Sequence, residues 1–327
     1  MDQKIVGMIS SYNDLNPSPR DWMWHQTPQP FGVWKDIQVV ANAPEPDFIL
    51  MYNFTQFPGR KSRNKNWFLN RFKGKMTAEQ EEQKFQESLR NVPKERVIFA
   101  LREPPFVEKE KRRIKDYRLA EKYCEYVSGP DDFAPISEPM SAIWYHPNSF
   151  RDLNEMGAPE KVSPCSWITS GIDRTANHQN RLSFIKLLRE SGLEFDLYGR
   201  GLPDWAKGNG QLLSKWNAMA PYYYNLAIEN FAENDWYVSE KLWDSLLAWC
   251  LPIYYGGSAA DRLLPPGSFL RLPSMDEKGL AYIKEVIATP DAWYAAKDAI
   301  AEARQIILHE LNLLNWLSKT VKQLSSS

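Results

Sequence analysis

Short apolar runs alternate with polar, helix-forming stretches along the first half of the chain. Uninterrupted apolar runs are typical of parallel strands that are buried on both faces. The pattern predicts strands at 4–10, 37–41, 47–52, 96–101 and 123–128. A polar helix is predicted over 77–91 with Thr77 as its N-cap, and the Pro- and Trp-rich residues 14–32 are predicted to form an ordered loop.

A second series of the same kind begins near residue 166, after a stretch at 139–164 that is rich in Pro, Asn, Ser and Gly and is predicted to be a linker. The predicted strands are 166–170, 194–198, 222–228, 251–255 and 268–272, and the predicted helices are 179–191 and 238–248. Residues 274–319 are predicted to be helical, with a last helix from Ala301 to about Val321.

Two successive α/β series predict two Rossmann-like domains that face each other across a cleft. We expect an N-terminal domain at 1–150, a C-terminal domain at 151–300, and a helix and polar tail at 301–327 that pack back across the domains. A chain of 327 residues with 43% hydrophobic residues is long enough for two cores.

The net charge of -1 argues against a general attraction to nucleic acid or to anionic lipid. No apolar run approaches the ~20 residues of a membrane-spanning helix, and residues 1–9 resemble a first strand more than a signal peptide. The three cysteines are widely spaced, which fits a reducing compartment. We therefore expect a cytoplasmic protein, with peripheral membrane contact left open.

A polar stretch lies where the predicted strand 222–228 ends and the next helix begins: Glu229, Asn230, Tyr237, Ser239, Glu240 and Lys241. Ser239 is a candidate N-cap, and a cation such as Lys241 is unfavourable at this helix end unless an anion is present. That favours a phosphate ligand, and the alternative is a solvated lysine. Arg181, near the start of the predicted helix 179–191, invites the same argument, although a surface arginine is the simpler interpretation.

Glu103 follows the strand 96–101 and precedes two prolines that restrict the backbone, so it is a candidate general base. An ion pair of Glu103 with Arg102 or with a nearby lysine is the alternative. The basic run 109–115 is interpreted as a solvated helix face. No H-E-x-x-H or D-x-D motif occurs. The candidates for stacking on an acceptor sugar are Trp22, Trp24, Trp34 and Trp67, with burial in the core as the preferred interpretation.

The combined motifs resemble those of the α-1,3/1,4-fucosyltransferases of glycosyltransferase family 10, in particular soluble bacterial-type members. The similarity covers about 166–272, through Glu229-Asn230, the run 237–241, Pro252-Ile253 with Gly256, and 265–269. The strand and turn 196–200 also match. In the first half the similarity rests mainly on Glu103-Pro104-Pro105, which resembles a Glu-Ser-Pro in the family. Ile228 and Ser239 replace the Phe and Thr that are usual in the family.

The resemblance implies a GT-B fold and an inverting transfer of L-fucose from GDP-β-L-fucose to a glycan hydroxyl, on a GlcNAc- or LacNAc-type acceptor in α-1,3 linkage. It implies Glu103 as the base and Arg181 and Lys241 as the cations that stabilise the leaving GDP. It places the remaining donor contacts at Tyr198, Gly199, Arg200, Glu229, Asn230, Tyr237, Ser239 and Glu240. No cofactor and no obligatory divalent metal are expected. The alternatives are a GT-B enzyme for another GDP-sugar, and a non-catalytic glycan- or nucleotide-binding relic.

Overall fold

A computed structural model describes residues 3–11, 22–59 and 76–326 of the chain. Within these residues the N-terminal sheet has the strand order β2-β3-β1-β4-β5-β6-β7, and every pair is parallel except β2–β3. The strands are β1 Lys4–Ser10, β2 Val33–Trp34, β3 Ile37–Val39, β4 Phe48–Tyr52, β5 Val97–Ala100, β6 Tyr126–Gly129 and β7 Ile136–Ser137. The central strands β4 and β5 are buried along their whole length, as the continuous apolar runs predict.

Two described α-helices follow strands of this sheet, α1 (Ala78–Ser88) and α2 (Glu110–Tyr123). Thr77 caps α1 as predicted, in a reciprocal capping box with Gln80. The predicted loop 14–32 lies partly outside the described residues; its described part contains a short 3₁₀ helix, Trp22–Gln26.

The second sheet is entirely parallel, in the order β12-β11-β10-β8-β9. Its strands are β8 Ser163–Ile168, β9 Asp196–Tyr198, β10 Tyr222–Ile228, β11 Leu251–Tyr255 and β12 Leu270–Arg271. The helices of this half are α3 Phe150–Glu155, α4 Ala176–Glu190, α5 Glu240–Leu247, α6 Ala259–Leu263, α7 Glu277–Val286, α8 Asp291–Ile306 and α9 Leu313–Ser325. The predicted linker 139–164 is therefore partly ordered, because it contains α3 and the first residues of β8.

The last helix is not continuous, contrary to the sequence prediction. A π-helical turn, Ile307–Leu311, follows α8, and Asn312 then leaves the helical conformation before α9. The cause is a contact far away in sequence, because Asn312 forms a parallel bridge with Ala142 and its side-chain amide donates to the carbonyl of Gln26 at 3.0 Å. Asn312 also caps α9 by accepting from the amide of Leu314.

Helix α9 packs on the first sheet. Lys35 donates to Asn315 at 2.8 Å, Ser318 donates to Asp36 at 2.7 Å, and the indole of Trp316 donates to Glu138 at 3.1 Å. None of the described helices is both long enough and apolar enough to cross a membrane.

Candidate active site

The carboxyl ends of the strands of both sheets open onto a cleft between the two halves, which contains two cavities. The first has a volume of about 530 Å³ and is lined from the first half by Tyr52, Asn53, Glu103, Glu108 and Lys109 and from the second half by Arg174, His178, Asn230, Tyr237, Glu240 and Lys241, among others. The second, of about 370 Å³, is lined by Ser170, Arg181, Gly199, Arg200, Lys215, Asn230, Glu240 and Lys241, among others. Asn230, Glu240 and Lys241 form a wall that both cavities share.

Lys241 is paired inside the protein, because its ammonium lies 3.2 Å from the carboxylate of Glu229. Glu229 follows β10, has a side chain with 0% exposure, and accepts from the amide of Ser239 at 2.7 Å and from its hydroxyl at 2.6 Å. Burial raises the pKa of Glu229, and Lys241 and Ser239 oppose that rise. The argument that Lys241 requires an external anion is thus corrected: Glu229 supplies an anion at the helix start and orients the lysine.

Glu240 lies in the first turn of α5, between two cations. Lys215 is 3.5 Å away and Lys241 is 4.0 Å away. Burial alone would raise the pKa of Glu240, but Lys241 and Lys215 lower it to about 2, so this carboxylate is an acceptor of hydrogen bonds at neutral pH. An ionised carboxylate in the shared wall suits the hydroxyls of a ribose or a sugar.

Lys215, which also lines the second cavity, links Glu240 to Asp244. The ammonium of Lys215 lies 3.1 Å from Asp244, whose side chain is fully buried and accepts from the amide of Tyr145 at 3.1 Å. Burial raises the pKa of Asp244 to about 6, against the opposing effect of Lys215. Sequence reasoning missed both residues; the available signal was the acidic Asp244 one turn after Glu240 on an otherwise apolar helix face.

Arg181 belongs to the second turn of α4, which begins at Ala176, and not to the helix start as predicted. The helix-end argument therefore does not apply to it. The residue is 3% exposed, donates to the side chain of Asn230 and, at 3.0 Å, to the carbonyl of Ser170. Its Nε has no protein partner, and burial lowers its pKa to about 10. A buried guanidinium that lines the second cavity fits an anionic ligand.

Glu103 comes three residues after β5 and lines the first cavity. Arg102 does not pair with it, since the Arg102 guanidinium lies 3.1 Å from Glu138 and stacks on the ring of Trp316. The ion-pair alternative for Glu103 is therefore wrong with respect to Arg102. Glu103 and Glu240 both line the first cavity.

Gly199 brings the ends of β8 and β9 close together beside the second cavity. Its φ is +144°, and a Cβ atom there would lie 1.5 Å from the carbonyl oxygen of Thr169. Only glycine allows this approach, and Arg200, which also lines the cavity, follows directly.

Three of the predicted donor-contact residues, Glu229, Ser239 and Tyr198, form hydrogen bonds with other side chains inside the protein. Glu229 and Ser239 brace the start of α5 as described above. The hydroxyl of Tyr198 lies 2.8 Å from that of Tyr222, which donates to Asp196. Tyr237 is 3% exposed and packs against Phe231, with one side on the first cavity.

Of the four candidate acceptor tryptophans, the structure describes the side chains of Trp24 and Trp34, and neither of them lines the two cavities. Trp34 is 3% exposed and packs edge-on against Phe150. The indole of Trp24 donates to the carbonyl of Val39 at 2.7 Å. Trp22 begins the 3₁₀ helix, and Trp67 lies outside the described residues. The preferred interpretation from the sequence, burial in the core, fits Trp34.

Among the described residues, no group of three or more His, Cys, Asp or Glu side chains is arranged to hold a metal ion. The second cavity is lined by four cationic side chains, those of Arg181, Arg200, Lys215 and Lys241.

The fold and the cleft define a protein of the GT-B type. Two solved structures support that fold across nearly the whole chain. An α-glucosyltransferase in complex with UDP and a 13-mer DNA has a TM-score of 0.55 at 9% identity, covering 99% of this chain and 100% of that one. Anabaena HepE in complex with UDP-glucose has a TM-score of 0.53 at 12% identity, with the same coverage.

The match to a known family lies in the second half of the chain. Residues 158–295 match the model of the C-terminal domain of glycosyltransferase family 10 (fucosyltransferase). The α-(1,3)-fucosyltransferase C of Drosophila melanogaster is 31% identical over 139 residues, which are 41% of this chain and 30% of that protein. The chain thus matches less than a third of the length of this curated relative.

Proposed function

We propose that the protein transfers L-fucose from GDP-β-L-fucose to a hydroxyl group of a glycan, with inversion at the anomeric carbon. One observation carries the proposal: the first cavity is lined by Glu103 from one half of the molecule and by Glu240 and Lys241 from the family 10 half. A candidate base and a candidate donor site therefore share one space, as a displacement between two bound substrates requires.

In this proposal the donor and the acceptor occupy different cavities. The GDP moiety occupies the second cavity, where Arg181 and Lys241 contact the diphosphate, and Glu240 and Asn230 bind hydroxyls at the shared wall. The acceptor enters the first cavity from the N-terminal half. The proposed domains are an acceptor-binding domain at 1–150 and a donor-binding domain at 151–300. The C-terminal helix and tail at 301–327 pack back across both domains.

The chemistry is a single displacement. The acceptor oxygen attacks the anomeric carbon from the face opposite GDP, Glu103 takes the hydroxyl proton, and the bond to the GDP oxygen breaks. The negative charge that develops on the diphosphate is stabilised by Arg181 and Lys241 in a largely desolvated site. Because these two cations can balance the charge of the diphosphate, we propose that no divalent ion is required. A GlcNAc- or LacNAc-type acceptor and an α-1,3 linkage complete the proposal.

The test is calorimetric titration of the protein with GDP-fucose, GDP-mannose, GDP and UDP-galactose, in EDTA and then in manganese, followed by transfer to N-acetyllactosamine. We expect GDP and GDP-fucose to bind in EDTA with little change on adding manganese, and fucose to appear on the acceptor. A preference for GDP-mannose would keep the site and reject fucose as the sugar. Absence of binding to any guanine nucleotide would reject the donor site.

A further inference from the structure

A buried ion pair lies directly behind Glu103. Arg113 on α2 is 5% exposed and Asp131, in the turn after β6, is 2% exposed. The Nε of Arg113 donates to the carboxylate of Asp131, which also accepts from the hydroxyl of Tyr117 at 2.6 Å. The basic run 109–115 was predicted to be solvated, and Arg113 is the exception because Asp131 pairs with it in the interior.

The guanidinium of Arg113 uses its remaining nitrogens on the backbone at the candidate base. Nη2 donates to the carbonyl oxygen of Glu103 at 2.8 Å, and Nη1 lies 3.4 Å from that of Pro104. A planar fork that is fixed on one edge by a carboxylate holds two successive carbonyls in a fixed orientation. The direction of the Glu103 side chain depends on these carbonyls, because the two following prolines leave the segment little other freedom.

The turn that carries Asp131 also contacts the second half of the molecule. The side-chain amide of Asn234 donates to the carbonyl of Pro130 at 2.7 Å, and the indole of Trp236 donates to Asp132 at 2.7 Å. The side-chain oxygen of Asn234 accepts from the backbone amides of Trp236 at 3.1 Å and Tyr237 at 2.9 Å. The loop that leads to α5 and its donor-side residues is thus anchored on this turn.

Glycine is required for this anchoring at one position. A Cβ atom on Gly257 would lie 2.1 Å from the carbonyl oxygen of Asn234, so the turn after β11 leaves room for the loop 234–237. The contacts run from Tyr237 through Asn234 and the turn 130–132 to Arg113 and Glu103.

We propose that Arg113 is a positioning residue for Glu103, and that the turn 130–132 sets Glu103 at a fixed place relative to the donor-side loop 234–237. The inference rests on the proposed role of Glu103 as the base. Arg113 itself lines neither cavity. It acts through the backbone of Glu103 and Pro104, whereas Asn234 aligns the two halves of the cleft.

The first test compares Arg113→Lys with Arg304→Lys. Arg304 is a matched control because it is 2% exposed and also donates to two backbone carbonyls, of Leu247 at 3.2 Å and Leu153 at 2.6 Å, away from both cavities. Lysine keeps the charge at either position and removes the planar fork. A purely structural role predicts the same consequences for both variants.

We expect Arg113→Lys to keep the Kd for GDP-fucose and the acceptor KM within about threefold while kcat falls by about 10- to 100-fold, since a small displacement of a reacting group has that effect. Arg304→Lys should lower the melting temperature and leave kcat unchanged. Wild-type kcat in Arg113→Lys would overturn the inference, and so would an equal loss of kcat in Arg304→Lys.

The second test does not depend on transfer. Hydrogen–deuterium exchange of peptides covering 101–107 and 232–238 should rise in Arg113→Lys and in Asn234→Asp, which retains an acceptor for the Trp236 and Tyr237 amides but loses the donor to Pro130. Arg304→Lys should leave both peptides unchanged. If the wild-type protein binds GDP-fucose and transfers nothing, the proposed function fails while exchange still decides the inference. Unchanged exchange in both variants would overturn it.

Discussion

The pair formed by Lys241 and Glu229 links the stability of the fold to binding of the donor, and a set of variants separates the two effects. Lys241→Met removes the ammonium that lies 3.2 Å from a carboxylate with no exposed surface. Breaking a buried pair by removing one partner costs about 3–5 kcal/mol. The two hydrogen bonds from Ser239 to Glu229 persist, so we expect a loss of about 3 kcal/mol in the free energy of unfolding.

The loss of unfolding free energy caused by Lys241→Met should depend on pH. Burial already raises the pKa of Glu229 while Lys241 opposes the rise, so removal of Lys241 raises that pKa further. A folded-state pKa above the unfolded value gives stability at low pH that is lost as pH rises through the folded pKa. Urea unfolding should therefore show that the destabilisation by Lys241→Met grows as pH rises above about 4.3, the ordinary pKa of a glutamate.

The double variant Lys241→Met with Glu229→Gln removes both charges. A glutamine can accept from the Ser239 amide and donate to its hydroxyl, so the stability should return to within about 1 kcal/mol of wild type, the net value of one neutral hydrogen bond. The affinity of the double variant for GDP should remain about 10- to 150-fold below that of the wild type, which corresponds to the loss of one charge-assisted hydrogen bond of about 1.5–3 kcal/mol.

Calorimetry with GDP and with guanosine completes the assay. Guanosine lacks the diphosphate, so its affinity should be the same for wild type and the double variant. Glu229→Gln alone keeps the ammonium and measures how far GDP affinity depends on the carboxylate that orients it. Wild-type affinity for GDP in the double variant would refute the phosphate contact, and an unchanged stability in Lys241→Met would refute the account of the buried pair.

Three further perturbations test other parts of the site. Glu103→Gln should lower kcat by about 100-fold or more without changing the Kd for GDP-fucose; Glu108→Gln, in the same cavity, is the comparison, and the reverse pattern would make Glu108 the base. Gly199→Ala places a methyl group against the Thr169 carbonyl and should weaken GDP binding at least tenfold, whereas Gly192→Ala, at φ +71° with no neighbour within 4 Å, should affect stability only. Burial, with the charges of His25 and Lys215, lowers the pKa of His146 to about 3. The free energy of unfolding is therefore highest above the unfolded pKa of about 6.5, and it falls by up to about 5 kcal/mol as pH falls towards 3. His146→Phe should flatten the dependence of unfolding free energy on pH in that interval, and an unchanged slope would contradict the assignment.

The strand β10 and the helix α5 could be predicted closely from the sequence. The prediction of 222–228 coincides with Tyr222–Ile228, and the prediction of 238–248 encloses Glu240–Leu247. Both elements are buried runs whose signals are local: an apolar stretch, a cap at Ser239 and a Pro at the next strand. The polar stretch 229–241 begins directly after β10 and ends in the first turn of α5, so its position in the fold followed from the same pattern.

The features that escaped prediction all depend on partners far away in the chain. Arg113 is buried because Asp131 lies behind it, and Lys215 is in the site because Asp244 and Glu240 hold it. The interruption at Asn312 depends on Ala142. Periodicity and capping rules contain no information on such pairs, and an isolated charged residue in a polar run gives the same signal whether it is solvated or paired.

The return of α9 to the first sheet has a consequence for synthesis of the protein. Asn312 pairs with Ala142, and Asn315 and Ser318 contact Lys35 and Asp36, so part of the surface of the first half is covered by chain made about 170 residues after Ala142. At about 5–20 residues per second, a ribosome needs roughly 10 to 35 seconds for that interval. During this time the nascent first half presents the face that α9 later covers. The first half therefore reaches its final state only when translation of the second half is almost complete.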